Sequence, residues 1–362
     1  ANRFIKSMHY LHAYGFDFNS LKLIYEYLAN CNQRVKVNDS FSSWGKISFG
    51  VPQGSVLGPL LFNIFIRDMF YFLEGFEVAS YADNTTPFSD GKDNDCVIKN
   101  IEQSSSALFE WLKKNYMKVN TDKSHLLMSG NSNVISVIDS NLIESENEQV
   151  PLGILIDSKL TFKSHVNNIC KKASQKLNAL ARISSYLDIQ KRRTLMKSFI
   201  TSQFGYCPLI WMFHSRHLNN KINKIHERAL RITYSDQSST YKELLSKDNS
   251  VSIHHRNLQT LATEMFKLYK GMSPNILDEV FVQKKSKYNF RNINFFESRK
   301  VTSVYHGTES LSFFCPEFWG LIPREFKEYV NLKTLSNKIK KGICSECHCR
   351  FCKQFISQLV FI

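Results

Sequence analysis

The chain predicts an α+β fold in which a small antiparallel sheet with helices gives way to an all-helical region. Three observations carry this expectation. Residues 77–88 alternate like two short strands about a turn, residues 166–183 repeat apolar side chains at three- and four-residue steps, and charge is spread unevenly. Of 362 residues, 43% are apolar and 13% aromatic, enough for a substantial core and for two or three structural units. Residues 1–158 hold 13 basic and 18 acidic side chains, residues 159–231 hold 15 and 2, and residues 232–362 hold 19 and 12. Most of the net charge of +15 therefore sits in one central segment. The expected division is 1–158, a basic helical region 159–235, and a helical or irregular extension 236–362.

Taken in order, residues 20–28 read as an amphipathic helix with Leu21, Ile24, Tyr25 and Leu28 on one face. Val51-Pro52-Gln53-Gly54-Ser55 opens an apolar run through Ile64, Phe65, Ile66, Met69 and Phe70, with Gly58-Pro59 where a helix begins, so a Gly-rich loop feeds a buried helix. A strand ending at Ala82, a turn at Asp83-Asn84 and a second strand through Thr85-Thr86-Pro87-Phe88 put Asp83 at a hairpin tip; Asp and Asn are both favourable turn residues. Residues 129–149, rich in Asn, Ser and Glu, read as a loop or weak hairpin. In the basic region, Val166, Ile169, Cys170, Ala173, Leu177, Leu180 and Ile183 form a packing face between Lys171, Lys172, Lys176 and Arg182. A second helix runs through Arg192, Leu195, Met196, Phe199 and Ile200, and a third through Leu218, Ile222, Ile225, Ala229, Leu230 and Ile232. The polar stretch 234–240 ends this region.

Pro52-Gln53-Gly54-Ser55, Tyr81-Ala82-Asp83-Asn84, Asn120-Thr121-Asp122-Lys123 and Leu152-Gly153-Ile154 follow one another in this order. Together they resemble the reverse transcriptases of non-LTR, jockey-like retrotransposons. The resemblance implies a partial right-hand polymerase palm over 1–158, a thumb over 159–235 that grips primer and template, and partners in an RNA template and a DNA primer or RNA–DNA duplex. It also implies Mg2+, held in pairs by three aspartates, one on an earlier strand and two in a Tyr-Ala-Asp-Asp hairpin. Here Asp83 matches and Asn84 is an amide. Asn84 keeps a carbonyl oxygen but loses the negative charge that compensates a dication.

The earlier aspartate precedes, in the family, a segment like 9–16, which lies here at the very start. The fingers and the first catalytic strand are therefore expected to be missing, with Ala1 marking a processed or partial product; Asp17 follows Tyr14-Gly15 and is not a substitute. By the same resemblance Gln53, Gly54 and Tyr81 meet nucleotide or template, Lys123 the nucleotide phosphates, and Leu152 and Gly153 the primer end. Lys171, Lys172, Lys176, Arg192 and Arg193 would neutralise backbone phosphates, against the alternative of an ordinary solvated basic face. His165 is expected to pack or start a helix and carries no assigned chemistry.

No apolar run approaches the roughly 20 residues that span a bilayer, and no signal peptide is evident. With Cys31, Cys96, Cys170, Cys207 and Cys315 unpatterned, the expected setting is intracellular, nucleus or cytoplasm. Cys344, Cys347, Cys349 and Cys352 form two Cys-x-x-Cys pairs parted by His348, which leaves open zinc or reduced thiols. Between 284 and 324, aromatic and basic residues such as Tyr288, Phe290, Phe295 and Phe296 allow either packing or stacking on single strands. Three functions remain: a catalytically inactive reverse transcriptase fragment, an active RNA-directed DNA polymerase seen in part, or a non-catalytic nucleic-acid-binding protein using the basic helices.

Overall fold

The computed structural model describes residues 2–341 apart from 30, 48, 49, 53, 131–133, 139, 140, 285–294, 298, 299, 302–309, 323–326, 329 and 330. It mixes helices with small sheets and divides into two compact units, 1–147 and 148–362. The expected boundaries lie at 158 and 235. Residues 148–158 fall in the second unit, and within them Glu148–Gln149 pair with Ile156–Asp157.

The first unit opens with helices α1 (Asn2–Ala13) and α2 (Phe18–Leu28). Asp17 caps α2, its Oδ1 accepting the Ser20 N–H at 2.7 Å, so this carboxylate has a structural task. Next comes a ribbon of four very short strands, β1 (Asn32–Gln33), β2 (Lys36–Val37), β3 (Ser40–Phe41) and β4 (Gly45–Lys46), in which β2 pairs with β3 inside the β1–β4 pair. Helices α3 (Gly58–Ile66) and α4 (Asp68–Phe72) follow, then the hairpin β5 (Glu77–Tyr81) and β6 (Asn84–Phe88), and helix α5 (Asn94–Lys114). Strands β7 (Leu126–Leu127), β8 (Ile135–Ile138) and β9 (Asn141–Glu146) complete a sheet ordered β7-β9-β8, parallel at β7 and antiparallel at β8. The polar segment expected as a loop or weak hairpin thus supplies two paired strands. Two small cores hold this unit. Leu11, Leu28 and Leu61 make one, and Ile66, Met69, Leu73, Leu108 and Trp111 the other.

The buried helix expected after the Gly-rich loop is only partly buried. Leu61 and Ile66 are inside, whereas Leu60, Phe70 and Tyr71 are exposed. A run that is apolar on every side exceeds what its few neighbouring helices can cover, so its surplus faces solvent.

The second unit begins with β10 (Glu148–Gln149) and β11 (Ile156–Asp157), then α6 (Lys163–Ile183) and α7 (Ile189–Leu195). After α7 the chain widens into a π-turn at Met196–Ile200, and a 3-10 turn at Thr201–Phe204 follows. The expected second helix thus runs through all its expected positions, but with widened winding over its last five. Thr201 Oγ1 donates back to the Met196 and Lys197 carbonyls at 3.0 and 3.3 Å, the kind of hydroxyl insertion that disturbs helical bonding.

Helices α8 (Pro208–Trp211), α9 (Arg216–Tyr234), α10 (Tyr241–Asp248), α11 (Ile253–Tyr269), α12 (Ile276–Val280), α13 (Leu311–Leu321) and α14 (Leu332–Lys341) complete the unit. One core gathers α6, α9 and the irregular turns around Trp211 and Phe204. A second is aromatic, built from Phe266, Phe281, Phe296, Phe314, Phe318 and Trp319. Phe295 stacks edge-on against Tyr269 at 4.6 Å and Phe296 is buried, so these two aromatics pack. Tyr288 and Phe290 lie outside the described residues, as do Cys344, Cys347, Cys349 and Cys352.

Candidate functional site

The β5–β6 hairpin has a register that differs from the sequence expectation by one residue. Tyr81 pairs with Asn84, so the two turn residues are Ala82 and Asp83, and Asn84 opens the second strand. Ala82 takes the positive φ of 53° that such a tight turn needs at its first position, a conformation strained for any residue with a Cβ. Ser80 and Thr85 hydroxyls meet at 3.3 Å across the strands, and Val78 reaches the α4–α5 core. Their face is half-buried. On the opposite face Glu77, Ala79, Tyr81, Asn84, Thr86 and Phe88 are all exposed.

Asp83 and Asn84 are exposed at the tip. Among the described residues no group of three or more His, Cys, Asp or Glu side chains is gathered closely enough to hold an ion. One carboxylate and one amide do not fit a pair of magnesium ions, which require several hard, charged oxygen ligands in near-octahedral arrangement. No step through magnesium follows from these residues.

The loop before α3 is tightly built. Gly54 has φ 81° in open space, while a Cβ on Gly58 would lie 2.8 Å from Ser55 Oγ and 3.3 Å from the Pro52 carbonyl. Ser55 Oγ donates to that carbonyl at 2.7 Å and accepts the Gly58 N–H at 3.1 Å, fastening the helix start. Ser55 is thus a positioning residue without a role in the sequence reading, and Gly58 starts the helix where expected. Gln53 lies outside the described residues. Lys123 ends a single 3-10 turn, Thr121–Lys123, with its side chain in solvent.

In the second unit, Leu152 and Gly153 both take positive φ, 50° and 82°. Tyr206 Oη donates to the Leu152 carbonyl at 2.7 Å, and a Cβ on Gly153 would stand 3.8 Å from the Tyr206 ring. Beyond the turn, Asp157 gathers donors. Its Oδ1 accepts the Lys159 and Thr161 N–H groups at 3.2 and 3.0 Å, and its Oδ2 the Thr161 hydroxyl and Phe162 N–H at 3.0 and 2.7 Å. This steers the chain through left-handed Leu160 and Phe162 into α6. His165 is buried, accepts the Leu155 N–H on Nδ1 at 3.2 Å, and lies 6.0 Å from the Trp211 ring. Burial, with Lys172 adding to it, pushes its pKa below the ordinary histidine value. It braces the helix start, as expected. Asp157, Tyr206 and Trp211 were the residues missed. The four-residue spacing of Asp157 before Thr161 was the available signal, whereas Tyr206 and Trp211 are remote in sequence.

Of the expected phosphate-binding groups, Lys171 and Lys172 are exposed on α6 and Lys176 is half-buried. The arginines have partners within the fold. Arg192 Nη1 donates to the Ile232 carbonyl at 3.1 Å and to Ser235 Oγ at 2.6 Å. Arg193 Nε donates to Asp248 Oδ1 and its Nη2 to the Asp248 carbonyl, each at 2.5 Å, and Tyr234 Oη donates to the same Oδ1 at 2.8 Å. Burial pushes the Asp248 carboxyl up, but the Arg193 and Tyr234 hydrogen bonds outweigh it and hold it below the ordinary carboxylate range. Lys221 on α9 donates to Asn167 on α6 at 2.6 Å, and exposed Lys224 and Arg228 follow it along α9.

Residues 5–188 match the family model described as reverse transcriptase (RNA-dependent DNA polymerase). The chain is 26% identical over 220 residues to a protein named probable RNA-directed DNA polymerase from transposon BS of Drosophila melanogaster, covering 57% of this chain and 24% of that protein. It is also 26% identical over 211 residues to the RNA-directed DNA polymerase from mobile element jockey of the same organism, covering 54% and 23%. Against the Pol polyprotein of retrotransposable element R1 2 of Nasonia vitripennis, identity is 23% over 176 residues, 45% of this chain and 43% of that one. The chain thus spans about a quarter of the length of the first two relatives. No solved structure matches it. The ordered motifs, the half-chain family match and these relatives together place the chain in the reverse transcriptase family, among those of jockey-like non-LTR retrotransposons.

Proposed function

We propose that this chain is a reverse transcriptase domain that binds nucleic acid and does not itself carry out nucleotide addition. One observation carries the reading: the hairpin tip offers Asp83 as its only carboxylate, with the amide of Asn84 beside it. Primer-hydroxyl activation and pyrophosphate release draw on clustered negative charge, and an amide supplies dipole without charge. The palm-like and thumb-like roles of the two regions belong to this proposal. Supporting them are the strand–turn–strand form of residues 77–88 and the exposed Lys171 and Lys172 on α6, with Lys224 and Arg228 on α9, a set of charges able to meet duplex phosphates.

Primer extension on an RNA template with magnesium tests the catalytic half. Incorporation at background is expected; robust synthesis by the unaltered chain would overturn the inactive reading in favour of a working polymerase. Duplex affinity tests the binding half. It should fall steeply with salt and weaken when Lys171 and Lys172 are neutralised, and a flat salt response would refute it.

A further inference from the structure

The ribbon formed by β1 to β4 has every residue from 32 to 46 exposed, including Phe41 at 51% and Trp44 at 65%. A two-stranded ribbon that buries nothing is marginal alone in water, so its face composition bears on what covers it. Cross-strand partners share a face. Asn32 pairs with Lys46 and Lys36 with Phe41, which places Arg34, Lys36, Phe41 and Lys46 on one side. Between the two ladders Val35 and Ser42 are joined, Ser42 Oγ accepting the Val35 N–H and the Val35 carbonyl accepting the Ser42 N–H, each at 2.9 Å. Between this link and the Gln33–Gly45 pair, Ser43 and Trp44 stand against the single Arg34, whose guanidinium lies 3.9 Å from the Phe41 ring centre and 4.7 Å from that of Trp44, placing both rings on its side. Lys36 Nζ lies 5.4 Å from the Phe41 ring.

All three cations of the ribbon and both of its aromatic rings therefore share one face, with Asp39 confined to the far turn. The surrounding unit is acidic, 13 basic against 16 acidic side chains over residues 1–147, so this face is a positive island. Cations interleaved with half-exposed rings match a strand whose phosphates and unpaired bases are both accessible. They match a duplex poorly, since its bases are already stacked. We propose that this face docks single-stranded RNA, Phe41 and Trp44 stacking on bases while Arg34, Lys36 and Lys46 meet phosphates. The choice of RNA rests on the reverse-transcriptase reading above.

Trp44 reports on this directly, because Trp111, Trp211 and Trp319, the other tryptophans, are buried. The full chain is titrated with a primer–template duplex bearing a single-stranded RNA overhang. Tryptophan fluorescence reads the ribbon, and anisotropy of the labelled duplex reads overall binding. Saturable quenching by the overhang and none by a blunt duplex is expected, with roughly tenfold weaker overhang binding in Phe41→Ala and in Arg34→Gln. Trp44→Phe should lose the quenching and keep the binding. Equal quenching by blunt duplex, or stronger quenching by a DNA overhang, overturns the assignment. So does fluorescence that follows protein concentration and ignores RNA, which would make the face a contact between copies. Duplex retained without quenching defeats this inference alone; no duplex binding at all defeats the broader reading.

Discussion

The hairpin at 77–88 and the turn at 151–165 both carry family motif residues, yet they are held in opposite ways. At the hairpin tip Tyr81, Ala82, Asp83 and Asn84 all face solvent, and the strands rest on the α4–α5 core only through the other face. At the later turn the motif is built inward. The Leu152 carbonyl is held by Tyr206, Asp157 collects four donors, and His165 is buried near Trp211. A motif residue whose only duty is chemistry leaves no mark on packing when it changes, whereas one that also shapes the chain cannot change without disturbing the core. Asn84, exposed at the start of the second strand, makes no contact with the core that a change would disturb. An amide at position 84 is therefore compatible with a hairpin that pairs over five residues a side.

The contrast can be broken by substitution. The largest effect is expected for Trp211→Ala in the second unit, about 3–5 kcal/mol of unfolding free energy, because a wholly buried indole donating to the Tyr206 carbonyl at 3.0 Å is removed. Urea denaturation followed by circular dichroism measures it. Asp157→Ala should cost about 2 kcal/mol in the same assay, since its four donors lose their acceptor at the entry to α6.

Acidification should have an intermediate effect. Burial lowers the pKa values of His165, His214 and His226, that of His226 to about 3. The folded unit therefore keeps these rings neutral where the unfolded chain takes up protons. The stability they allow is complete above the ordinary histidine pKa of about 6.5 and is lost as pH falls from there toward 3. The urea midpoint should be lower at pH 5 than at pH 7.5; an unchanged midpoint would contradict this. The smallest effect belongs to the hairpin. Asn84→Ala should shift unfolding by less than about 0.5 kcal/mol, and a larger loss would show that the tip is packed after all.

Much of this was legible in the chain. Long helices with strict periodicity, α6 and α9, fall where Val166 to Ile183 and Leu218 to Ile232 indicated, and the hairpin and its motif were readable from alternation and order. Less legible was anything set by a distant partner. The second helix widens where the Thr201 hydroxyl returns to the Met196 and Lys197 carbonyls, and the arginine pair 192–193, which reads as free basic charge, is spent on Ile232, Ser235 and Asp248 some forty to fifty-five positions away. The exposed aromatic face of the 32–46 ribbon had no periodic signal, because its strands are two residues long.

Family membership, the order of the motifs and the amide at Asn84 beside Asp83 are properties of the sequence, since they depend only on which side chain stands at which position. The turn register at Ala82-Asp83, the inward or outward setting of each motif, and which cations remain available were decided by the tertiary structure. Hydrogen bonds and burial are made between residues far apart in the chain, and one residue of register or one remote carboxylate reverses what a local pattern implies.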